Sequence, residues 1–278
     1  MDPAAAEMLE TLECGRYTAP SGAEVPIAEA QAAAVAGTCI YTPAELEVMV
    51  DQLAGPFDGR LEVTDETVQQ AAHALAGRGE GVAVLNFASA YEPGGGFLEG
   101  SKAQEEDICR CSGLYPTLLT QPIYYDVNRA QTSPLYTDHA IFSPAVPFLK
   151  TRGRGPWLER PILASVITMP APDTGTYLAR EPDGQGVLRD TFARRWRAVF
   201  AVAREREVRC LVLGAWGCGA FGGDPAMAAT TAREALATSG ADLSRVRFAV
   251  PGRGPSATHL DVFRRVLADS QARDASPG

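Results

Sequence analysis

The pattern of apolar and polar positions changes near residue 55. Before it, alanine-rich stretches with apolar residues at helical spacing predict three helices, separated by Pro20, Gly22 and Gly55. We expect these helices at Ala4–Glu13, Ile27–Val35 and Pro43–Leu53. After it, short β-rich runs alternate with amphipathic stretches of helical period.

This alternation predicts an α/β sandwich with a largely parallel or mixed sheet. The strand candidates are Leu61–Thr64, Val82–Phe87, His139–Ser143, Leu163–Met169, Cys210–Leu213 and Val246–Val250. The helix candidates are Thr67–Ala76, Gln104–Tyr115, Val187–Arg206, Pro225–Thr238 and Ser256–Ala268. The polar segment Thr151–Arg160 is expected to be a surface loop, and Gln271–Gly278 a disordered tail.

Two glycine-rich segments, Glu92–Gly100 and Gly214–Gly223, each follow a strand candidate. Ligands of open α/β sheets bind outside the carboxyl ends of strands, so both segments are placed to contact one. The second leads into a helix whose first turn contains Pro225. Backbone N–H groups at such positions suit a diphosphate. Neither segment has the Gly-Lys-Ser/Thr of a Walker motif or a clean GxGxxG.

The segment NFASAYEPGGGFLEGSKAQEEDICR, residues 86 to 110, joins a glycine triplet to a pair of carboxylates. Seven residues separate the triplet from a Gln-Glu-Glu run, and the residues concerned are Gly94, Gly95, Gly96, Gln104, Glu105 and Glu106. Glycines without Cβ atoms allow the backbone close to a ligand. A Glu-Glu pair is usually a solvated helix face, and a glycine triplet is usually a flexible loop. Their combination after a buried strand favours a functional site.

Composition restricts the function classes. The 278 residues include six cysteines without a CxxC pair and only three histidines, so we expect no metal site and reduced thiols. No secretion signal or bilayer-spanning apolar run is visible, which predicts a cytoplasmic protein that does not enter membranes. A net charge of −9 argues against direct nucleic-acid binding.

The triplet, its spacing and the Gln-Glu-Glu run resemble the signature of the poly(ADP-ribose) glycohydrolases. The chain is similar to their bacterial-type branch in four further segments, which are Leu12–Gly22, Thr137–Phe148, Ser165–Gly175 and Leu211–Pro225. The resemblance implies a macrodomain-like three-layer α/β/α sandwich with a mixed sheet and an N-terminal helical extension. Residues 1–55 would then be an accessory segment packed on the main domain, residues 56–270 the catalytic core, and residues 271–278 the tail.

The resemblance also implies roles for single residues. Glu106 would be the catalytic acid/base, Glu105 would bind the ribose hydroxyls beside the scissile bond, and Gln104 would support the loop. The glycine triplet and Asn86 would contact the diphosphate and the distal ribose. A second group would close the opposite side, with its phenylalanine against the terminal ribose: Gly217, Cys218, Gly219, Ala220 and Phe221. Structural alternatives stay open at this point, because Asn86 could close a strand end and Phe221 could pack in the core.

Elementary chemistry supports a division of labour between the two glutamates. Cleavage of an α-glycosidic bond needs a proton for the leaving oxygen, which a desolvated glutamate with a raised pKa supplies. Most glycosidases flank the bond with two carboxylates on opposite sides. Neighbours on a helix point about 100° apart, because a turn has ~3.6 residues. We therefore expect Glu106 to move the proton and Glu105 to orient the sugar.

The prediction is a poly(ADP-ribose) glycohydrolase that releases ADP-ribose, mainly by exo attack, without metal or cofactor. Its expected ligands are poly(ADP-ribose) and ADP-ribose, with poly(ADP-ribosyl)ated proteins as partners, a monomeric state and a place in the DNA damage response. Three alternatives remain. They are a non-catalytic ADP-ribose reader, a hydrolase of mono-ADP-ribosylated protein or a related metabolite, and a phosphate-binding enzyme of another class.

Overall fold

The computed structural model describes residues 1–76, 81–254 and 257–273. The helices are α1 (Pro3–Cys14), α2 (Ala28–Gly37), α3 (Pro43–Asp51), α4 (Val68–Ala76), α5 (Gln104–Cys111), α6 (Leu114–Leu118), α7 (Pro122–Arg129), α8 (Thr174–Arg180), α9 (Gln185–Glu205), α10 (Pro225–Ser239) and α11 (Ala257–Arg273). The strands are β1 (Arg16–Thr18), β2 (Glu24–Pro26), β3 (Cys39–Tyr41), β4 (Arg60–Thr64), β5 (Val82–Phe87), β6 (Ala140–Lys150), β7 (Trp157–Met169), β8 (Cys210–Leu213) and β9 (Arg245–Ala249).

The chain divides into two compact units, each assembled from separate stretches of sequence. The first unit comprises Met1–Thr42, Gln69–Gln131 and Thr137–Pro170. The second comprises Pro43–Val68, Thr132–Tyr136 and Ala171–Gly278. The predicted boundary at residue 55, between an accessory segment and a core, stays a prediction.

The strands of the first unit form a mixed arrangement in the order β3-β6-β7-β5. β6 pairs antiparallel with both β3 and β7, whereas β5 runs parallel to β7. Five of the six β5 residues are buried, as expected of a strand covered on both faces. β1 and β2 form a separate antiparallel hairpin. Helix α1 packs on this hairpin and on α5, which carries the Gln-Glu-Glu run.

The second unit has parallel strands in the order β8-β9-β4. Its core contains edge-to-face aromatic contacts, among them Trp196–Trp216 with ring centroids 4.9 Å apart. Trp216 lies in the second glycine-rich segment and is fully buried, so this part of the segment packs in the core. Arg195 is also fully buried, and its guanidinium donates a hydrogen bond to the carbonyl of Leu135.

Most predicted elements are present, but the prediction for β6 and β7 was too short. Strand β6 runs on to Lys150, and β7 begins at Trp157, inside the segment Thr151–Arg160 that was expected to be a loop, so their ladder continues to the pair Lys150–Trp157. Register shifts interrupt this ladder, and Ala145 has a φ of 45°. Such bulges hide the strand period in the sequence.

Other differences concern short elements. Strands β1, β2 and β3 lie in the part predicted to be helical, and α7 and α8 were not predicted. The single helix expected over Gln104–Tyr115 is two helices, because Ser112 has an extended backbone with φ −149°. Helix α11 continues to Arg273, past the predicted start of the tail, whereas Ser256 and residues 274–278 lie outside the described residues.

Candidate active site

The candidate site of the first unit begins at the end of β5. Asn86 is fully buried and faces Thr168 in the register of β5 with β7. Its Nδ2 donates hydrogen bonds to Glu105 Oε1 at 3.0 Å and to Thr168 Oγ1 at 3.2 Å. The Asn86 amide therefore orients the first glutamate of the signature.

Gln104 fixes the start of helix α5 to strand β5. Its Nε2 donates to the carbonyl of Leu85 at 2.8 Å, and its Oε1 accepts from the N–H of Phe87 at 2.8 Å. The side chain thus pairs with the β5 backbone. This anchor places the two glutamates that follow it beside the carboxyl end of the strand.

Glu105 is buried and hydrogen-bonded on both carboxylate oxygens. Besides the Asn86 contact on Oε1, its Oε2 accepts from the N–H of Ser89 at 2.7 Å. Burial nevertheless raises the pKa of Glu105, against the donors of Ser89 and Asn86 and with a smaller contribution from the charge of Glu106, and the net result is a pKa of about 8. Desolvation is the largest of these effects, so the surroundings of Glu105 favour its protonated form.

Glu106 is hydrogen-bonded on one oxygen only. Its side chain is 7% exposed, and Oε1 accepts from the N–H of Gly96 at 3.0 Å. Within the described part of the chain, Oε2 is buried and has no hydrogen-bond partner. A buried acceptor without a donor is costly, which favours a donor from a bound ligand at this oxygen.

The glycine triplet lies directly against the carboxylates. Gly94 and Gly95 have φ values of +70° and +56°, in the left-handed region that glycine tolerates. A Cβ at Gly95 would lie 2.5 Å from Glu106 Oε1 and 3.2 Å from Glu105 Oε2. Only glycine fits here, and both carboxylates approach the same backbone point although they are neighbours on a helix.

Cys109, in the helix that follows the glycine triplet, and Cys218, in the second glycine-rich segment, show no sign of reactivity. Cys109 lies next to Gly94, and burial, together with the charges of Glu105 and Glu106, raises the pKa of its thiol well above the usual value. Burial also raises the pKa of the Cys218 thiol to about 12, with a smaller contribution from Asp224. Both thiols are therefore neutral at physiological pH.

The second unit contains the other predicted contact residues, between β8 and α10. Gly217 and Cys218 are buried, and Gly217 has a φ of +77° with no room for a Cβ beside Ala171 and Phe192. Gly219 and Ala220 are exposed, and a Cβ at Gly219 would meet no atom within 4 Å. The predicted contact residues therefore divide into a buried pair that shapes the turn and an exposed pair that is accessible.

Phe221 is half-buried at the end of this turn, so the structure does not make it a core residue. Its ring centroid lies 5.9 Å from that of Tyr136, at 48° between the ring planes. Its carbonyl accepts from the N–H of Gly175 at 2.9 Å. Tyr136 has a φ of 60°, which is unusual for a bulky residue.

The comparisons with known proteins place this geometry in a family. The model of the microbial-type PARG (poly(ADP-ribose) glycohydrolase) catalytic domain matches residues 5–151, which include the whole signature. The chain belongs to this family. Poly(ADP-ribose) glycohydrolases are glycoside hydrolases, so the chain is an enzyme of that class. A search of curated proteins gave no match.

Solved structures of bacterial poly(ADP-ribose) glycohydrolases agree with the family and with the fold. The enzyme from Thermomonospora curvata is 44% identical, with a TM-score of 0.89 over 95% of this chain and 97% of that one. The same enzyme bound to the inhibitor ADP-HPD is 43% identical, with a TM-score of 0.87 over 94% and 97%. The Deinococcus radiodurans enzyme in complex with ADP-ribose is 42% identical, with a TM-score of 0.79 over 86% and 97%. The predicted α/β fold class and its macrodomain-like description are confirmed.

Sequence reasoning missed several residues that contact the predicted site residues. Ser89 holds Glu105 through its backbone N–H, which no side-chain pattern predicts. Thr168 lies in a segment that carried the family resemblance, and its register opposite Asn86 is visible only once β5 and β7 are paired. Tyr136 contacts Phe221 from a distant part of the sequence.

The structure also bears on membrane insertion and metal binding. Over residues 1–76, 81–254 and 257–273, no helix is long and apolar enough to cross a membrane. Over the same residues, the side chains of histidine, cysteine, aspartate and glutamate form no group of three that could hold a metal ion.

Proposed function

We propose that this chain hydrolyses the α-glycosidic ribose–ribose bonds of poly(ADP-ribose) and releases ADP-ribose, mainly from the chain end. The observation that carries the proposal is the asymmetry of the two buried glutamates. Glu105 has donors on both oxygens, whereas Glu106 has a donor on Oε1 alone. Membership of the glycohydrolase family supports the reaction class.

In this proposal Glu106 is the general acid and then the general base. Its Oε2 gives a proton to the leaving ribose oxygen and afterwards takes one from the attacking water. The Gly96 N–H holds Oε1, so the free oxygen has a defined direction. Glu105 is neutral at pH 7, because burial raises its pKa, and its carboxyl binds the ribose hydroxyls beside the bond.

The remaining predicted contacts complete the proposal. The backbone around Gly94, Gly95 and Gly96 contacts the diphosphate and the distal ribose, and Asn86 and Gln104 support this region. In the second unit, Gly219 and Ala220 offer accessible backbone, with Gly217 and Cys218 shaping the turn. Phe221, supported by Tyr136, packs against the terminal ribose, which favours exo attack. Poly(ADP-ribosyl)ated protein partners, a monomeric state, a cytoplasmic location and a part in the DNA damage response stay predictions.

Product analysis tests the proposal. The purified protein is incubated with poly(ADP-ribose) and, separately, with mono-ADP-ribosylated protein, and products are resolved by chromatography. Free ADP-ribose appearing from the start, with little intermediate-length polymer, is the expected result. Rapid shortening of long chains before ADP-ribose appears would contradict the exo mode. Demodified protein with intact polymer would assign the chain to mono-ADP-ribosyl hydrolysis, and ADP-ribose binding without cleavage would make it a reader.

A further inference from the structure

Arg110 is a buried cation in the helix that carries the catalytic glutamates. It lies one turn after Glu106 in α5, and its side chain is 5% exposed. Its Nη2 donates to the carbonyls of Ser101 and Phe97, and its Nε lies 3.1 Å from Asp2 Oδ2. A buried guanidinium is costly unless its donors are used, so these three acceptors determine where the loop before α5 lies.

Asp2 ties the beginning of the chain to the same loop. Its carboxylate is 7% exposed, and its backbone N–H donates to the carbonyl of Leu98 at 2.7 Å. Burial acts to raise the pKa of Asp2, but the hydrogen bond and charge of Arg110 outweigh it, and the pKa lies below the usual value. The second oxygen of the Asp2 carboxylate, Oδ1, lies 3.6 Å from Nη2 of the exposed Arg154, a longer contact than the one to Arg110.

The loop between these contacts also holds the catalytic carboxylate. The carbonyl of Gly96 accepts from the N–H groups of Ser101 at 3.0 Å and Glu99 at 3.2 Å, which closes residues 96–101 into a compact turn. The N–H of Gly96 donates to Glu106 Oε1. One side of the turn is therefore bound by Arg110 and Asp2, and the other side positions Glu106.

We infer that Arg110 and Asp2 are positioning residues for the reaction, which fix the Glu106 carboxylate through the Gly96 turn. The first residues of the chain thereby contribute to the active site without touching substrate. This inference rests on the role proposed for Glu106. A shift of about 1 Å in a reacting group lowers a rate by as much as about 100-fold, so loosening the turn should be visible in kcat.

The chain offers a matched control on the same helix. Glu7 of α1 pairs with the buried Lys150, with Oε2 and Nζ 2.6 Å apart, and this ion pair lies outside the hydrogen bonds that close the Gly96 turn. Glu7→Gln breaks an ion pair of α1 and leaves the turn intact. Asp2→Asn removes the negative charge from the proposed link, Arg110→Lys removes the planar guanidinium that reaches several acceptors at once, and both keep side chains of similar size.

The experiment compares kcat and KM on poly(ADP-ribose), thermal stability, and amide exchange of Gly96 for the wild type and these three variants. We expect Asp2→Asn and Arg110→Lys to lower kcat about 10- to 100-fold with little change in KM. The double variant should be little worse than the more impaired single variant, because both act through one turn. Gly96 exchange should accelerate in both variants and stay slow in Glu7→Gln.

Two results would overturn the inference. One is a kcat loss in Asp2→Asn and Arg110→Lys no larger than in Glu7→Gln at equal loss of stability. The other is unchanged Gly96 exchange in both variants. A wild type inactive on polymer would instead remove the proposed function, and Gly96 exchange would still decide whether Arg110 and Asp2 hold the turn.

Discussion

At the scale of single residues, two adjacent glutamates of one helix differ in their surroundings. Glu105 lies against β5 and receives N–H donors from Asn86 and Ser89. Glu106 lies against the glycine triplet and receives a single N–H donor, from Gly96. Titratable neighbours with different environments usually have different catalytic tasks. The division of labour stays a prediction from the sequence, and nothing in the sequence indicated that burial raises the pKa of Glu105 to about 8.

The raised pKa of Glu105 predicts a pH-dependent cost in folding stability. Its folded pKa is about 8 against an unfolded value of 4.5, so between these values the folded state keeps a proton that the unfolded state releases. Wild-type stability should therefore fall as pH rises through this window, by up to about 1.4 kcal/mol per pH unit from this group. Glu105→Gln has no such group, so its stability relative to the wild type should rise with pH.

Urea unfolding at several pH values between 5 and 8 measures this difference. Glu24→Gln is a suitable control, because Glu24 is exposed in β2 and pairs with the exposed Arg16. A constant stability difference between the wild type and Glu105→Gln across the window would contradict a proton on Glu105.

At the scale of elements, the predicted contact residues lie in the segments that come after strands β5 and β8. The bounds of β5 were predicted correctly because its run of apolar residues is continuous and buried. The beginnings of α5 and α10 were predicted from Gln104 and Pro225. The contacts around the turn could not be predicted, since Arg110 and Asp2 are 108 positions apart and meet only in the folded unit.

Gly95→Ala tests the close approach of the glycine triplet to the carboxylates of Glu105 and Glu106. The added methyl group would meet Glu106 Oε1 at 2.5 Å, on a backbone with φ +56°. We expect a stability loss of about 1–2 kcal/mol from the backbone alone and a further loss of kcat, because the carboxylate must move.

Gly22→Ala separates the backbone cost of an alanine at positive φ from the displacement of the Glu106 carboxylate. Gly22 has a φ of +86°, and a Cβ there would meet nothing within 4 Å. The variant should lose similar stability and keep full kcat in an assay on poly(ADP-ribose). Equal kcat for Gly22→Ala and Gly95→Ala would contradict a role of Gly95 in placing Glu106.

The turn after β8 carries a second prediction at this scale. Phe221→Ala removes a half-buried ring that pairs with Tyr136, and stacking on a terminal ribose would be lost with it. We expect KM for short polymers to rise and intermediate-length products to appear, as the cap on the chain end is removed. Phe221→Tyr keeps the ring and should keep the product pattern. Unchanged products from Phe221→Ala would count against the exo explanation.

At the scale of the whole molecule, the family was predictable and the division into units was not. Motifs spread over most of the chain carried the resemblance, and the matched structures cover up to 95% of it. The two compact units interleave in sequence, so no change of composition marks their boundaries. Strands β1, β2 and β3 were missed because three-residue strands have too few positions to show a period.

The net charge of −9 predicts an unusual response to salt. Poly(ADP-ribose) is also anionic, so substrate and enzyme repel each other at long range, and screening should help them to associate. Raising the ionic strength from about 0.02 M to about 0.15 M should raise kcat/KM modestly, with kcat unchanged. Measurement of initial rates across this range checks the prediction. A steep fall of kcat/KM with salt would indicate instead a basic surface that binds the polymer, as in nucleic-acid-binding proteins.

The most direct test of the account is the initial rate of ADP-ribose release from poly(ADP-ribose) by the wild type and by Glu106→Gln, with ADP-ribose binding of both measured by calorimetry. Loss of a general acid/base should lower the rate roughly 10²- to 10⁴-fold, while binding of ADP-ribose persists. That result would establish both the reaction and the role of Glu106. A Glu106→Gln variant that binds ADP-ribose and cleaves at nearly the wild-type rate would contradict the central claim.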